Sequence, residues 1–224
     1  INMNKPEHII TLEDPIEFEF PPDKATFNQR ELGSDFENFP SGIQSALRLS
    51  PNTIVITDIK DRETMELAIT ASENYLVIGV VQSIGIGQAV NKIVGMFPKE
   101  EEETIRAQLA NVFKWIVCQK LVPKIKGGRI PIFEILTSTF KSQDTVTQGE
   151  NEQRQFYDIM AKGTHGMQTF DQNLLALVKA EIITEEAAKN NCTRKTELSL
   201  GIDRIKIKKG IAPSELGELR MESE

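Results

Sequence analysis

Continuous apolar runs alternate with amphipathic ones along the first half of this chain. Residues 9–12 (Ile-Ile-Thr-Leu), 53–57 (Thr-Ile-Val-Ile-Thr) and 75–81 (Tyr-Leu-Val-Ile-Gly-Val-Val) are short β-branched and aliphatic runs, the composition of buried strands. Between the second and third, residues 62–74 carry Met65, Ala68, Ile69 and Ser72 at helical spacing. Strand, amphipathic helix, strand predicts a βαβ unit and a mainly parallel sheet covered on both faces. Short helices are predicted over 42–49 and 88–96. The next helix opens with Lys99 and glutamates 100–103, which suit the positive end of a helix dipole. Its apolar positions, Ile105, Leu109, Val112, Phe113 and Ile116, carry it past Trp115, with Cys118 in the same apolar pattern.

Lys126-Gly127-Gly128-Arg129 reads as a turn before a strand over 130–136. Residues 19–38 are polar and proline-containing, and read as a long loop. Beyond Leu136 the composition shifts. Helices are predicted over 156–161, 169–179 and 184–191, and residues 195–224 read as an extended tail with a short strand at 202–207. The expected division is an α/β core over 1–136, a small helical subdomain over 137–194 and a tail over 195–224.

Charge and cysteine usage narrow the function classes. A formal charge of −7 over 224 residues argues against a general nucleic-acid binder, which needs a basic footprint. No apolar run is long enough to span a bilayer, and the polar start at Ile1–Glu7 does not read as a signal peptide. Two thiols far apart, Cys118 and Cys192, suit a reduced cytoplasmic protein rather than a disulfide framework.

The candidate chemistry is acidic. Residues 8–18 (His-Ile-Ile-Thr-Leu-Glu-Asp-Pro-Ile-Glu-Phe) run an apolar strand into Glu13, Asp14 and Glu17. Acids at the carboxyl end of a parallel strand can meet Mg²⁺, phosphate or an attacking water; a solvated turn gives the same composition. Asp58 follows the second strand in the pattern of a Walker B acid, whereas Asp61 is better placed to cap the next helix. Arg30 and Arg48 could serve as arginine fingers or as surface ion-pair partners. Ser83–Gly87 follows a strand but lacks a lysine and the third glycine of a phosphate loop, so it reads as a turn. His8 and His165 lack ligand spacing, and Trp115 and the phenylalanines sit mostly at helical or strand core positions. No G-x-x-x-x-G-K-[ST] loop occurs in these residues.

Taken together, these segments resemble the ATPases of type IV pilus retraction (PilT-type) and type II secretion. Residues 10–18 (Ile-Thr-Leu-Glu-Asp-Pro-Ile-Glu-Phe) resemble the family's Asp box. Asn28-Gln29-Arg30-Glu31, Ala46-Leu47-Arg48 with Ser50-Pro51-Asn52, and Leu76-Val77-Ile78-Gly79 resemble the segments that follow it. Residues 119–134 and 166–172 continue the likeness in order, and the four-cysteine zinc insert of the secretion and assembly branch is absent.

The resemblance implies a RecA-like P-loop ATPase core followed by a helical subdomain, with ATP and Mg²⁺ at subunit boundaries. It implies a homo-hexameric ring, or a mixed ring with a related ATPase, working on an inner-membrane pilus platform protein from the cytoplasm. On it, Glu17 is the catalytic glutamate, Glu13 and Asp14 lie near Mg²⁺, Arg30 and Arg48 contact phosphates, and Asp58 is the Walker B acid. The family's Gly-Glu pair is Thr57-Asp58 here, its His-box histidine is Gln82, and an arginine is replaced by Lys120. Gln82 can hydrogen-bond but carries no proton charge. The departures leave two readings open: a piece of a longer motor ATPase, inactive without its phosphate loop, or a non-catalytic paralogue acting as a regulatory subunit.

Overall fold

The computed structural model describes residues 1–210 and 212, and resolves into two compact units, each described by itself. The first comprises Ile1–Ser83, Gly87–Lys114 and Ser138–Glu150. Its centre is a parallel sheet of β1 (His8–Glu13), β2 (Thr26–Glu31), β3 (Thr53–Ile56) and β4 (Leu76–Gly79), in the order β2-β1-β3-β4. Ile10 and Leu12 of β1 and Ile54 and Ile56 of β3 are completely buried, as continuous apolar strands in the middle of a parallel sheet must be. α1 (Phe39–Leu47) packs on β1 and on α2 (Arg62–Ser72), which also packs on β4. Asn38 caps α1 and Asp61 caps α2, each side chain accepting a backbone N–H three residues on.

Two expectations for this unit are corrected. The stretch over 19–38 is not all loop, because Thr26–Glu31 pairs in parallel with β1. Its polar residues hid it: a sheet-edge strand leans on backbone hydrogen bonds rather than on an apolar side-chain run. Nor is the sheet covered throughout, since Leu76, Ile78 and Val80 at the β4 edge are between 43% and 47% exposed. The rest of this unit is helical. α3 (Ile86–Val94), but for its first residue, belongs here, and α4 (Glu102–Val112) packs against α5 (Phe140–Gln148), an element that the weak periodicity of its sequence had concealed. Arg106 of α4 pairs with Glu102 and donates to the Val146 carbonyl of α5.

The second unit comprises Ile84–Ile86, Trp115–Thr137 and the described chain from Asn151 on. β5 (Trp115–Pro123) and β6 (Arg129–Thr137) form an antiparallel hairpin, closed by Gly127 and Gly128 at positive φ of 85° and 72°. Helices α6 (Phe156–Met160), α7 (Phe170–Lys179), α8 (Glu185–Asn191) and α9 (Lys195–Lys208) complete it. The hairpin groups with these C-terminal helices in one unit.

β5 overturns the helical reading of Ile116 and Cys118. The helix stops where Phe113 turns extended (φ −66°, ψ 140°), and the chain then alternates, burying Cys118 and Val122 while exposing Trp115, Val117 and Leu121. Trp115 is therefore not core, and neither are Phe18 and Phe140. Burial pushes the Cys118 thiol up to about 11, so it stays protonated and inert at neutral pH.

The expected strand at 202–207 is also corrected: residues 195–208 are α9, and only 211 and 213–224 of the expected tail lie outside the described residues. Its isoleucines favour a strand locally, but burying Leu198 and Ile202 in a helix packed on α7 prevails. Asp171 fixes the approach to α9, accepting the Thr193 and Arg194 amides at 2.7 and 2.9 Å and the Tyr157 hydroxyl at 3.0 Å. Arg194 closes the knot, stacked 3.9 Å above the Tyr157 ring and paired with Asp158 and Glu197.

Because β3 is sealed and β4 is not, truncation should discriminate between them. Ile54→Ala is expected to lower unfolding free energy by about 2–5 kcal/mol in urea titrations, and Ile78→Ala to change it by less than about 0.5 kcal/mol.

Candidate functional site

Parallel pairing brings the carboxyl ends of the first unit's strands to one level. Leu12 lies opposite both Arg30 and Ile56, Glu13 opposite Glu31, and Ile56 opposite Gly79. Whatever follows these residues emerges along one edge, which is where open α/β sheets bind their ligands. Thr57 ties the exits of β1 and β3 together, its amide and hydroxyl both donating to the Leu12 carbonyl at 3.1 Å.

Glu13 is buried, and its Oε1 accepts from Thr11 Oγ1 at 2.6 Å and from Gln29 Nε2 at 2.9 Å. Gln29 also donates to the Phe18 carbonyl at 2.8 Å and accepts from the Phe20 amide at 2.8 Å. It thereby clamps the chain beyond Glu13 back onto β2. Glu31 makes a second clamp, accepting the Ile16 amide at 3.1 Å. Between Glu13 and the clamped Ile16 the chain passes a cis Asp14–Pro15 peptide, and Asp14 and Glu17 are exposed. Glu13 is thus the internally satisfied member of the acid cluster, and Asp14 and Glu17 face solvent.

Asp58 stands half-buried just past β3, and its Oδ2 contacts Lys60 Nζ. The hydrogen bond to Asp58 and that residue's charge raise the Lys60 pKa above the ordinary ammonium value, and the Asp14 charge adds to the effect. Asp58, Lys60 and Asp14 therefore share one electrostatic neighbourhood. Ile59 between them is buried, and its amide donates to the Val80 carbonyl at 2.9 Å. Gly79 gives Ile59 room: a Cβ there would lie 2.7 Å from Ile59 Cδ1. Asp61 is occupied as the cap of α2, through Thr64.

The two arginines differ. Arg30 is held inside the unit, donating to Ser45 Oγ at 3.0 Å and to the Asp35 carbonyl at 2.8 Å. Arg48 is exposed at the C-cap of α1. Gln82, past β4, is exposed, and its carbonyl accepts from Lys92 Nζ at 3.0 Å. In the second unit, the Ile86 amide of the glycine-containing turn donates to the buried Glu134 carboxylate at 3.0 Å, so a protein acid already occupies it. Lys120 sits 4.2 Å above the Phe170 ring.

Lys60, Gln29 and Glu31 are the residues that sequence reasoning did not single out for a role. Gln29 and Glu31 lie within the quoted segment at 28–31; for Lys60 the signal is its two-residue offset from Asp58, the spacing of side chains on one side of an extended chain. Among the described residues no three His, Cys, Asp or Glu side chains converge as a metal cage, and no helix is long and apolar enough to cross a membrane.

Removing the Gln29 clamp has a local signature. Gln29→Ala is expected to destabilise the first unit by about 1–3 kcal/mol, because buried Glu13 loses a donor. The Phe20 amide should then exchange with solvent faster, as followed by hydrogen–deuterium exchange.

Residues 1–128 match the family model described as type II/IV secretion system protein. The type IV pilus retraction ATPase PilT of Pseudomonas aeruginosa is 36% identical over 191 residues, 84% of this chain and 55% of PilT. A twitching motility protein of Neisseria gonorrhoeae is 36% identical over 202 residues, 89% of this chain and 54% of its own length. The crystal structure of the pilus retraction motor PilT with bound ADP superposes with a TM-score of 0.79 at 34% identity, covering 88% of this chain and 55% of that one. The chain thus spans about half the length of the relatives it matches. The α/β, RecA-like fold implied by the sequence resemblance is the fold observed, and this chain belongs to the type II/IV secretion system protein family.

Proposed function

We propose that this chain is part of a cytoplasmic, ring-forming motor ATPase that couples ATP hydrolysis to pilus retraction, with its acidic strand edge at the nucleotide phosphates. The observation that carries the reading is the shared fold over 88% of the chain with a retraction motor that binds ADP. A homo-hexamer, or a mixed ring with a related ATPase, acting on an inner-membrane pilus platform protein is the assembly this reading takes.

The donors at the strand edge suit a phosphate-borne magnesium ion, which takes one or two carboxylates and completes its shell with phosphate and water. Asp58 would hold it, and the ion would supply charge neutralisation at the phosphate oxygens. Glu17, exposed past the clamped turn, orients the attacking water and accepts its proton. Arg48, exposed at the C-cap of α1, is assigned to phosphate across a subunit boundary, whereas Arg30 holds α1 and the turn after β2 in place. Asp14 adds negative charge beside Asp58, and Gln82 offers an uncharged hydrogen-bonding amide past β4. A second reading, a non-catalytic paralogue that modulates a motor ring, draws support from the internal engagement of Arg30 and from glutamine at position 82.

Equilibrium binding of a fluorescent ATP analogue with Mg²⁺, followed by turnover assays, separates the two. The 224-residue chain and the product of its complete reading frame are compared. The motor reading expects the complete product to bind and hydrolyse ATP, and Glu17→Gln to cut turnover by about 10²–10⁴-fold while binding persists. Undiminished turnover in Glu17→Gln removes the role of Glu17. Absence of nucleotide binding in both forms removes the motor reading and leaves the modulator.

A further inference from the structure

At the end of β3 the chain reads Thr57-Asp58-Ile59-Lys60-Asp61, and the structure fixes each residue differently. Thr57 is bonded to the exit of β1, Ile59 is buried and bonded to the exit of β4, and Asp61 is spent on the cap of α2. With its neighbours anchored, Lys60 is held on the same side as Asp58 and touches its carboxylate. The Lys60 side chain is 65% exposed and that of Asp58 17%, so the lysine is the partner that can swing away and the aspartate the one that stays. The charges of Asp58 and, less strongly, Asp14 favour the Lys60 ammonium.

We propose that Lys60 is the resting counter-ion of Asp58, and that a phosphate-borne divalent cation must displace it, so that Lys60 sets the magnesium dependence of nucleotide binding. The inference rests on the reading of this edge as a nucleotide site. Two cations cannot occupy one carboxylate oxygen at full strength, because they repel each other at that distance. Without bound nucleotide, Lys60 keeps Asp58 compensated. When a metal arrives on phosphate, the lysine is released from Asp58, and its three donors are free for phosphate oxygens. Lys60 is a positioning residue here: it acts through Asp58.

The test is a free-Mg²⁺ titration of fluorescent ADP binding to the product of the complete reading frame. Wild type, Lys60→Met, Lys60→Arg, Asp58→Asn and the Asp58→Asn, Lys60→Met double variant are compared at low and high salt. Lys60→Met is expected to lower the magnesium concentration at half-binding by about two- to fivefold at low salt, the range of an exposed ion pair, and by less at high salt. Lys60→Arg should restore a midpoint near that of wild type. In the Asp58→Asn background, Lys60→Met should no longer move the midpoint. A midpoint unmoved by Lys60→Met in the wild-type background, or moved equally in the Asp58→Asn background, overturns the inference while leaving the nucleotide site standing. No ADP binding by any of the five, with folding verified by circular dichroism, overturns the nucleotide reading and the inference together. Loss of folding confined to the Lys60→Met proteins assigns the lysine a structural role and overturns the inference as well.

Discussion

In-register parallel pairing between β1 and β3 buries Ile10, Leu12, Ile54 and Ile56 completely, and it ends both strands at one level. Each such side chain contributes about 1.5–3 kcal/mol of burial, an upper estimate because denatured chains already bury some surface. The positional consequence matters more than the energy. A one-residue slip would turn every side chain to the opposite face, so the register that seals the core also fixes where Glu13 and Asp58 stand. The bonds of Thr57 to Leu12, and of Ile59 to Val80, then join three strand exits into one edge.

That edge mixes groups that are finished with groups that are not. Glu13 is buried and satisfied by Thr11 and Gln29, and Arg30 is spent on Ser45 and Asp35. These side chains build the platform. Asp14 and Glu17 are exposed on it, and Asp58 is held by a lysine that is itself mostly in solvent. Structural polar groups are thus paired by fixed neighbours, whereas the groups assigned to nucleotide chemistry are open or carry an exchangeable partner.

The parts of the fold legible in the sequence were those where burial and local pattern agree. β1 and β3 are continuous apolar runs, and α2 carries both a helical stripe and a capping aspartate. β2 was invisible because its residues are polar and its stability lies in backbone pairing to β1. β5 was hidden by coincidence: Ile116 and Cys118 prolong a helical spacing that Phe113 ends. α9 was hidden by isoleucines whose strand preference yields to packing on α7. In the site, strand ends and acids could be read, since both are local. The partners of Asp58 and Glu13 could not, because spacing alone does not say which side chain an acid will hold.

Every role assigned to this edge depends on the carboxyl ends of β1 and β3 facing the nucleotide phosphates. A crystal structure of the complete reading-frame product with ADP and magnesium measures that most directly. The phosphates are expected past the carboxyl ends of β1 and β3, with Asp58 turned to the magnesium and Lys60 off the Asp58 carboxylate. A nucleotide bound elsewhere, or an intact Asp58–Lys60 contact beside bound magnesium, would contradict it.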